Sequence, residues 1–278
     1  MRKLELNDLY ADVKVRVGKR CEEKEPNVLE DTLFLEDGEP CGLYLSKVTG
    51  RLSELLKVAN NEFLSDNVPK GKLRRSDTLN KYFHLKNTRE PSTYGENTRL
   101  ADKLGVIQMS TILGSVPPKA HMRRPYPVIS SVHQSEKAQT FVKAMVMIAR
   151  ESEAVVQKYL PKVYKKQLEV VQENVPKKWQ FSPMFTSSIS NYNISAPYHV
   201  DTGNLKGTIN CIFTKRFDST GGCLNVPEYD VTFEQADMSM ICYPAWKNVH
   251  GVTPIHVQSE KGYRNSLIFY PLKGFNDY

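Results

Sequence analysis

Long apolar runs are missing from this sequence: no window approaches the ~18 consecutive apolar residues that a helical membrane span requires. A helical membrane protein is thereby set aside, and no membrane partner is expected. The opening residues, MRKLELNDLYADVKVRVGKR, lack the apolar core of a secretory signal, so an intracellular location is expected, cytoplasmic or, in a eukaryote, nuclear. No two cysteines stand in a CxxC spacing, and their number, five, is odd. That pattern fits neither a disulfide framework nor a structural zinc site, and Cys21, Cys41, Cys211, Cys223 and Cys242 are read as reduced, packed thiols. Internal repeats and low-complexity tracts are also absent, which sets aside solenoid and linker architectures.

What is present is a globular composition. The 278 residues are 40% hydrophobic and 25% charged, enough to bury one substantial core with or without a smaller subdomain. Lysine and arginine exceed aspartate and glutamate by 38 to 31, a formal charge of +7. A polyanion-binding protein shows such an excess, because cationic side chains displace counterions from phosphates. Many basic proteins bind no nucleic acid, so charge alone does not decide the partner.

Composition divides the chain into residues 1–134, a mixed N-terminal region packing on the core, and residues 135–278, a helical support followed by strands. The N-terminal region carries basic clusters at Lys70, Lys72, Arg74 and Arg75 and at Lys86 and Arg89. Leu52, Leu55, Leu56, Val58 and Phe63 are spaced as one face of an amphipathic helix over 51–63. SVPPKAHMRRPYPV, with four prolines, reads as an extended surface segment. From Ser135, a plausible cap, a long helix is expected, interrupted by Pro161 and followed by a second helical piece over 163–174. After Pro176 come short β-branched and aromatic runs: TSSISNYNI, GTINCIF, CLNVPEY, VTF, MSMICYP, HGVTPI and RNSLIFYPL. Short strands after two helices imply an α+β chain, an antiparallel sandwich or barrel braced by helices.

The chemistry centres on SAPYHVDTGNLKGT. His199 and Asp201 sit two apart, so in an extended strand both project from one face. His250 follows 49 residues beyond Asp201, at the start of HGVTPI. Two imidazoles and one carboxylate on one face of an ion leave its opposite positions open, which suits non-haem Fe(II) and oxygen activation. Arg264 opens an apolar strand, where a guanidinium is costly to bury without an anion. A dicarboxylate such as 2-oxoglutarate meets that need with two parallel hydrogen bonds. The alternative for Arg264 is an exposed head group or a structural acidic partner.

With these four residues in order, the chain resembles the Fe(II)- and 2-oxoglutarate-dependent dioxygenases, and within them the TET and base J-binding protein family. The matching segments are HVDTGN, GGCLNVPEY, ADMSMICYPAWKNVHGVTPI and RNSLIFYPL, which span about residues 185–275. The resemblance implies a double-stranded β-helix, a jelly-roll or cupin-like barrel. It implies Fe(II) on His199, Asp201 and His250, 2-oxoglutarate on Arg264 with Ser266 and Asn225 beside it, and O2 as the second co-substrate. It also implies hydroxylation of the 5-methyl group of a pyrimidine, 5-methylcytosine or thymine, flipped out of nucleic acid and above all DNA. Asn204 and Tyr270 then match residues that meet the base edge and stack on the base. Asn204 also suits a turn, and Ser266 and Tyr270 also suit barrel packing. Leu272 stands where TET enzymes carry a histidine that helps read cytosine, which leaves the choice of pyrimidine open. His256 lies too close to Arg264 to be the distal ligand, and His84, His121 and His133 are unassigned. Phosphate contacts are expected from Lys70 to Arg75 and from Lys119 to Arg124, for which a solvated basic face is the alternative. Two competing functions remain at this level: the same fold acting on a protein side chain or small molecule, and a silent module that binds modified nucleic acid. The residues do not speak to oligomeric state.

Overall fold

The structure, a computed structural model, describes residues 1–72, 108–119, 123–259 and 261–278. Arg74, Arg75, Lys86, Arg89, His84 and His121 therefore lie outside the described residues. The N-terminal part forms β1 (Arg2–Glu5), α1 (Leu6–Leu9), β2 (Thr32–Glu36), β3 (Glu39–Leu45), α2 (Gly50–Leu64), β4 (Gly71–Lys72), β5 (Met109–Val116) and β6 (Val128–Ile129). Two helices follow, α3 (Gln139–Tyr159) and α4 (Pro161–Asn174). The remaining strands are β7 (Ser187–Tyr192), β8 (Ala196–His199), β9 (Asn210–Phe217), β10 (Ser219–Gly221) and β11 (Leu224–Val226). They continue as β12 (Val231–Phe233), β13 (Met240–Tyr243), β14 (His250–Val252), β15 (Ile255–Val257) and β16 (Tyr263–Tyr270).

A large sheet runs in the order β1-β2-β3-β13-β9-β16-β7-β5-β4, with β6 paired to β5. A small sheet, β12-β11-β14-β8, faces it, and β10 pairs with β15. Strand alternation decides what each face meets. On β9, β13 and β16 the side chains of Cys211, Phe213, Met240, Cys242, Leu267 and Phe269 turn outward into one core. The helices meet them there with Leu52, Leu56 and Phe63 of α2 and Phe141, Met145 and Ile148 of α3. Each such fully buried side chain is worth about 1.5–3 kcal/mol. The alternate residues, Ile212, Ile241 and Tyr243, turn inward and join Leu224, Val226, Val231 and Phe233 of the small sheet in a second core. The large sheet is antiparallel except for the parallel edge pair β1-β2; closed on the small antiparallel sheet and braced on one side by helices, it makes the double-stranded β-helix expected from the sequence.

Local differences have local causes. Ser135 makes no side-chain cap; a 3-10 turn, Glu136–Ala138, intervenes, and Gln139 Nε2 instead bonds the carbonyls of His133 and Ser135 at 2.9 and 3.0 Å. Pro161 sits in the first turn of α4, where its missing N–H costs nothing, so it starts a helix as well as ending one. Strands from both sides of residue 135 share the large sheet: β3 pairs with β13, and β5 with β7. The N-terminal segment also covers both edges of the small sheet. Gly18 N and Lys19 O bond Tyr198 of β8 at 2.7 and 2.8 Å, and the N–H groups of Asn27 and Val28 bond Thr232 O of β12. Edges so covered cannot pair with another chain. None of the five cysteines is joined in a disulfide. No helix among the described residues is long and apolar enough to cross a membrane.

Candidate metal centre

β8 ends on His199 and β14 begins on His250, and the two residues are antiparallel partners in the small sheet. Their rings therefore stand side by side, with centroids 4.3 Å apart. Asp201 follows two residues after His199, in a turn fixed by its N–H bonding to Ala245 O at 3.1 Å. One ligand atom from each of the three lies within 4.8 Å of the others. In both histidines Nδ1 faces a backbone carbonyl two residues earlier, Pro197 O at 2.7 Å and Asn248 O at 3.0 Å. Those carbonyls hold the proton on Nδ1 and leave the Nε2 lone pair for a metal. Asn210 Nδ2 donates to Asp201 Oδ2 at 3.0 Å, while Oδ1 turns to His199 Nε2 at 3.4 Å.

The charges suit a divalent cation. Burial disfavours ionisation of Asp201, but the adjoining imidazoles of His199 and His250 and the hydrogen bond from Asn210 outweigh it, and its carboxyl lies below its ordinary 3.8. Burial, with His199 adding to it, holds His250 down to about 4, so its imidazole is neutral at neutral pH, the form that ligates.

A cavity of about 320 Å³ extends from this centre between the sheets. Along β16 the alternate residues Arg264, Ser266, Ile268 and Tyr270 all line it. Arg264 begins this row, at the opposite end from Tyr270, and is only 2% exposed. Its Nη2 donates to Gln235 Oε1 and its Nη1 reaches Ile194 O at 3.5 Å. Its Nε has no partner, and no carboxylate among the described residues pairs with it. Burial, reinforced by the neighbouring charge of Arg216, lowers its pKa to about 9. The side chain reaches this place over Gly222, whose φ is +68° and where an added Cβ would stand 2.5 Å from Arg264 Cδ. An uncompensated buried guanidinium with an orphaned N–H fits an anionic ligand held at that end.

The other predicted residues separate. Ser266 and Tyr270 line the cavity, and burial pushes the Tyr270 phenol up. Asn204 lines it too, but its amide donates to Asn210 Oδ1 at 2.8 Å, which links it through Asn210 to Asp201. Asn225 does not line the cavity: it points away from Leu224's face of β11, accepts from Tyr198 OH at 2.8 Å and donates to Val231 O and Thr232 Oγ1. His256 pairs with Glu23 at 2.8 Å on the surface, and His133 Nε2 accepts from Gly114 N at 2.8 Å. Among the basic residues, Lys70 folds back onto Ser65 O and the Phe63 ring, and Arg124 bonds the carbonyls of Val116, Pro117 and Tyr126. Sequence reasoning missed Asn191, Asn210, Gln235 and Tyr243, which also line the cavity. Strand alternation within TSSISNYNI and MSMICYP would have flagged Asn191 and Tyr243. Gln235, in the loop after β12, carries no sequence signal.

Fold and site together define a jelly-roll barrel with a two-histidine, one-carboxylate centre and a buried arginine at the end of its cavity. No protein-family model matches the chain, and no curated protein matches it by sequence. Among solved structures it is similar to NgTET1 in complex with 5mC DNA, at a TM-score of 0.56 and 11% identity over 98% of this chain and 88% of that one. A 2OG-Fe(II) oxygenase family oxidoreductase from Burkholderia pseudomallei aligns at a TM-score of 0.43, with 10% identity over 85% of this chain and 88% of the other. OsALKBH1 aligns at 0.37, with 11% identity over 84% and 97%. At such identities the first likeness is one of fold, and the other two carry no argument.

Proposed function

We propose that the protein is an Fe(II)- and 2-oxoglutarate-dependent dioxygenase that hydroxylates the 5-methyl group of a pyrimidine, 5-methylcytosine or thymine, in nucleic acid, with DNA the expected polymer. The observation that carries the enzymatic reading is the pairing of a two-histidine, one-carboxylate centre with a buried, acid-free Arg264 in one cavity. A silent binding module has no use for either.

His199, Asp201 and His250 would hold the iron, and Arg264 the distal carboxylate of 2-oxoglutarate, with the Ser266 hydroxyl beside it. When bound there, Fe(II), 2-oxoglutarate and O2 together supply the oxidising power that converts a C–H bond to C–OH, with succinate and carbon dioxide as co-products. The chain's part is position and exclusion of water. Ile194, Ile212, Leu224, Val252 and Ile268 make the walls apolar. Asn210 keeps Asp201 turned toward the metal position.

The nucleic-acid reading is supported by the match of the local motifs to the TET and base J-binding proteins and by the likeness in fold, over 98% of this chain, to a protein described in complex with 5mC DNA. A cavity of this size admits one extruded base but no duplex. Tyr270 offers a ring for the base to stack on, and Asn204 an amide near its edge. Leu272, apolar at the cavity rim, offers no hydrogen bond to an exocyclic amine, which keeps thymine beside 5-methylcytosine as substrate. The test is succinate release from 2-oxoglutarate with Fe(II) and oligonucleotides containing thymine or 5-methylcytosine. Binding of the same oligonucleotides is expected to weaken steeply with salt. Absence of succinate with every oligonucleotide would end the reading as a nucleic-acid hydroxylase, and salt-insensitive binding would favour a protein or small-molecule substrate.

A further inference from the structure

The co-substrate end of the cavity lacks the polar contact that the family resemblance assigned to Asn225, and a different amide stands there. Gln235 is 1% exposed and lines the cavity beside Arg264. Its Oε1 accepts from Arg264 Nη2 and, at 3.0 Å, from Thr214 Oγ1. A guanidinium only donates, so the oxygen of this amide must face it and Nε2 must point elsewhere. Nε2 has no hydrogen-bond partner among the described residues. The main chain of the same residue serves the neighbouring arginine: Arg216 Nη1 donates to Gln235 O at 3.0 Å. Arg216 and Arg264 are cross-strand partners on β9 and β16, so two guanidinium groups flank one residue, and that residue is neutral.

The choice of amide over carboxylate matters. A glutamate here would neutralise Arg264 from within, and an incoming carboxylate would then meet a satisfied cation and a like charge. An apolar residue would leave the guanidinium fork without its fixed orientation. We infer that Gln235 is a positioning residue for the distal carboxylate of the co-substrate: its oxygen orients Arg264 without cancelling its charge, and its Nε2, unpartnered among the described residues, adds a donor to the same subsite. The site so built selects 2-oxoacids that carry a second carboxylate over those that do not. This inference rests on the dioxygenase reading proposed above.

The test uses the full chain with Mn(II) in place of iron, and measures the affinities of 2-oxoglutarate and pyruvate by calorimetric titration and thermal shift. Pyruvate shares the 2-oxoacid group and lacks the distal carboxylate. Gln235→Glu and the near-isosteric Gln235→Met are each expected to weaken 2-oxoglutarate by about tenfold or more, the worth of one hydrogen bond to a charged group. Pyruvate and Mn(II) affinities are expected to hold, which a merely structural role for Gln235 would not give. Equal weakening of both 2-oxoacids would overturn the inference, as would wild-type affinity for 2-oxoglutarate in both variants while Arg264→Met loses it. Failure of the wild-type protein to bind 2-oxoglutarate at all would instead remove the dioxygenase reading, and the inference with it.

Discussion

Replacing Arg264 with methionine should make the protein more stable and leave it unable to hold its co-substrate. A guanidinium whose pKa is pushed by burial and by the charge of Arg216 down to about 9, well below its ordinary range, carries, at about 1.36 kcal/mol per pH unit, a penalty on the order of 5 kcal/mol. Below pH 9 the group is charged in both folded and unfolded chains, so the full penalty stands at neutral pH; it eases only as pH rises above about 9 toward the ordinary range of a guanidinium. Methionine removes the charge, keeps much of the volume and gives up the hydrogen bonds to Gln235 and Ile194 O. The net expectation is a gain of about 1–4 kcal/mol, as for other buried charges replaced by apolar side chains. Urea unfolding near pH 7.5, with Mn(II) present throughout, measures it. Adding 2-oxoglutarate at a hundred times its Kd should stabilise the wild type by about 2.7 kcal/mol and the variant not at all. A variant less stable than wild type without co-substrate, or one stabilised equally by it, would refute the claim that Arg264 is held in wait for an anion.

Gly222→Ala places a methyl group 2.5 Å from Arg264 Cδ at a φ of +68°; about 1–3 kcal/mol of stability should be lost to backbone strain, visible in the same unfolding assay, with a large drop in 2-oxoglutarate affinity. Asn210→Ala frees Asp201 Oδ2 and should weaken Mn(II) binding by about 10–100-fold in a calorimetric titration. Asp201→Ala should abolish succinate formation and leave the circular dichroism spectrum unchanged; retained turnover would refute the ligand assignment.

The parts of this protein that follow a period were legible in its sequence. The helix expected over 51–63 is α2, and the runs ending in RNSLIFYPL became strands because β-branched and aromatic residues alternate there between two apolar cores. The meeting of His199, Asp201 and His250 was legible for the same reason: a His-x-Asp pair at the end of a strand puts both side chains on one face. Side chains whose roles depend on packing between distant segments were not. Asn225 lies three residues past a glycine pair that does support the site, yet strand alternation turns it to the outer face of β11, where Tyr198 takes its oxygen. Gln235 reaches Arg264 from a loop 29 positions away, a contact no local pattern encodes. The N-terminal strands, expected only to pack on the core, enter the large sheet by long-range pairing, which composition does not encode.

Nucleoside mass spectrometry after incubation of the wild-type protein with Fe(II), 2-oxoglutarate and DNA containing both thymine and 5-methylcytosine tests the central claim most directly. A hydroxymethyl pyrimidine, formed with matching succinate and absent with Asp201→Ala, is the predicted result. Unaltered bases and no succinate from a protein that binds both Fe(II) and 2-oxoglutarate would contradict it.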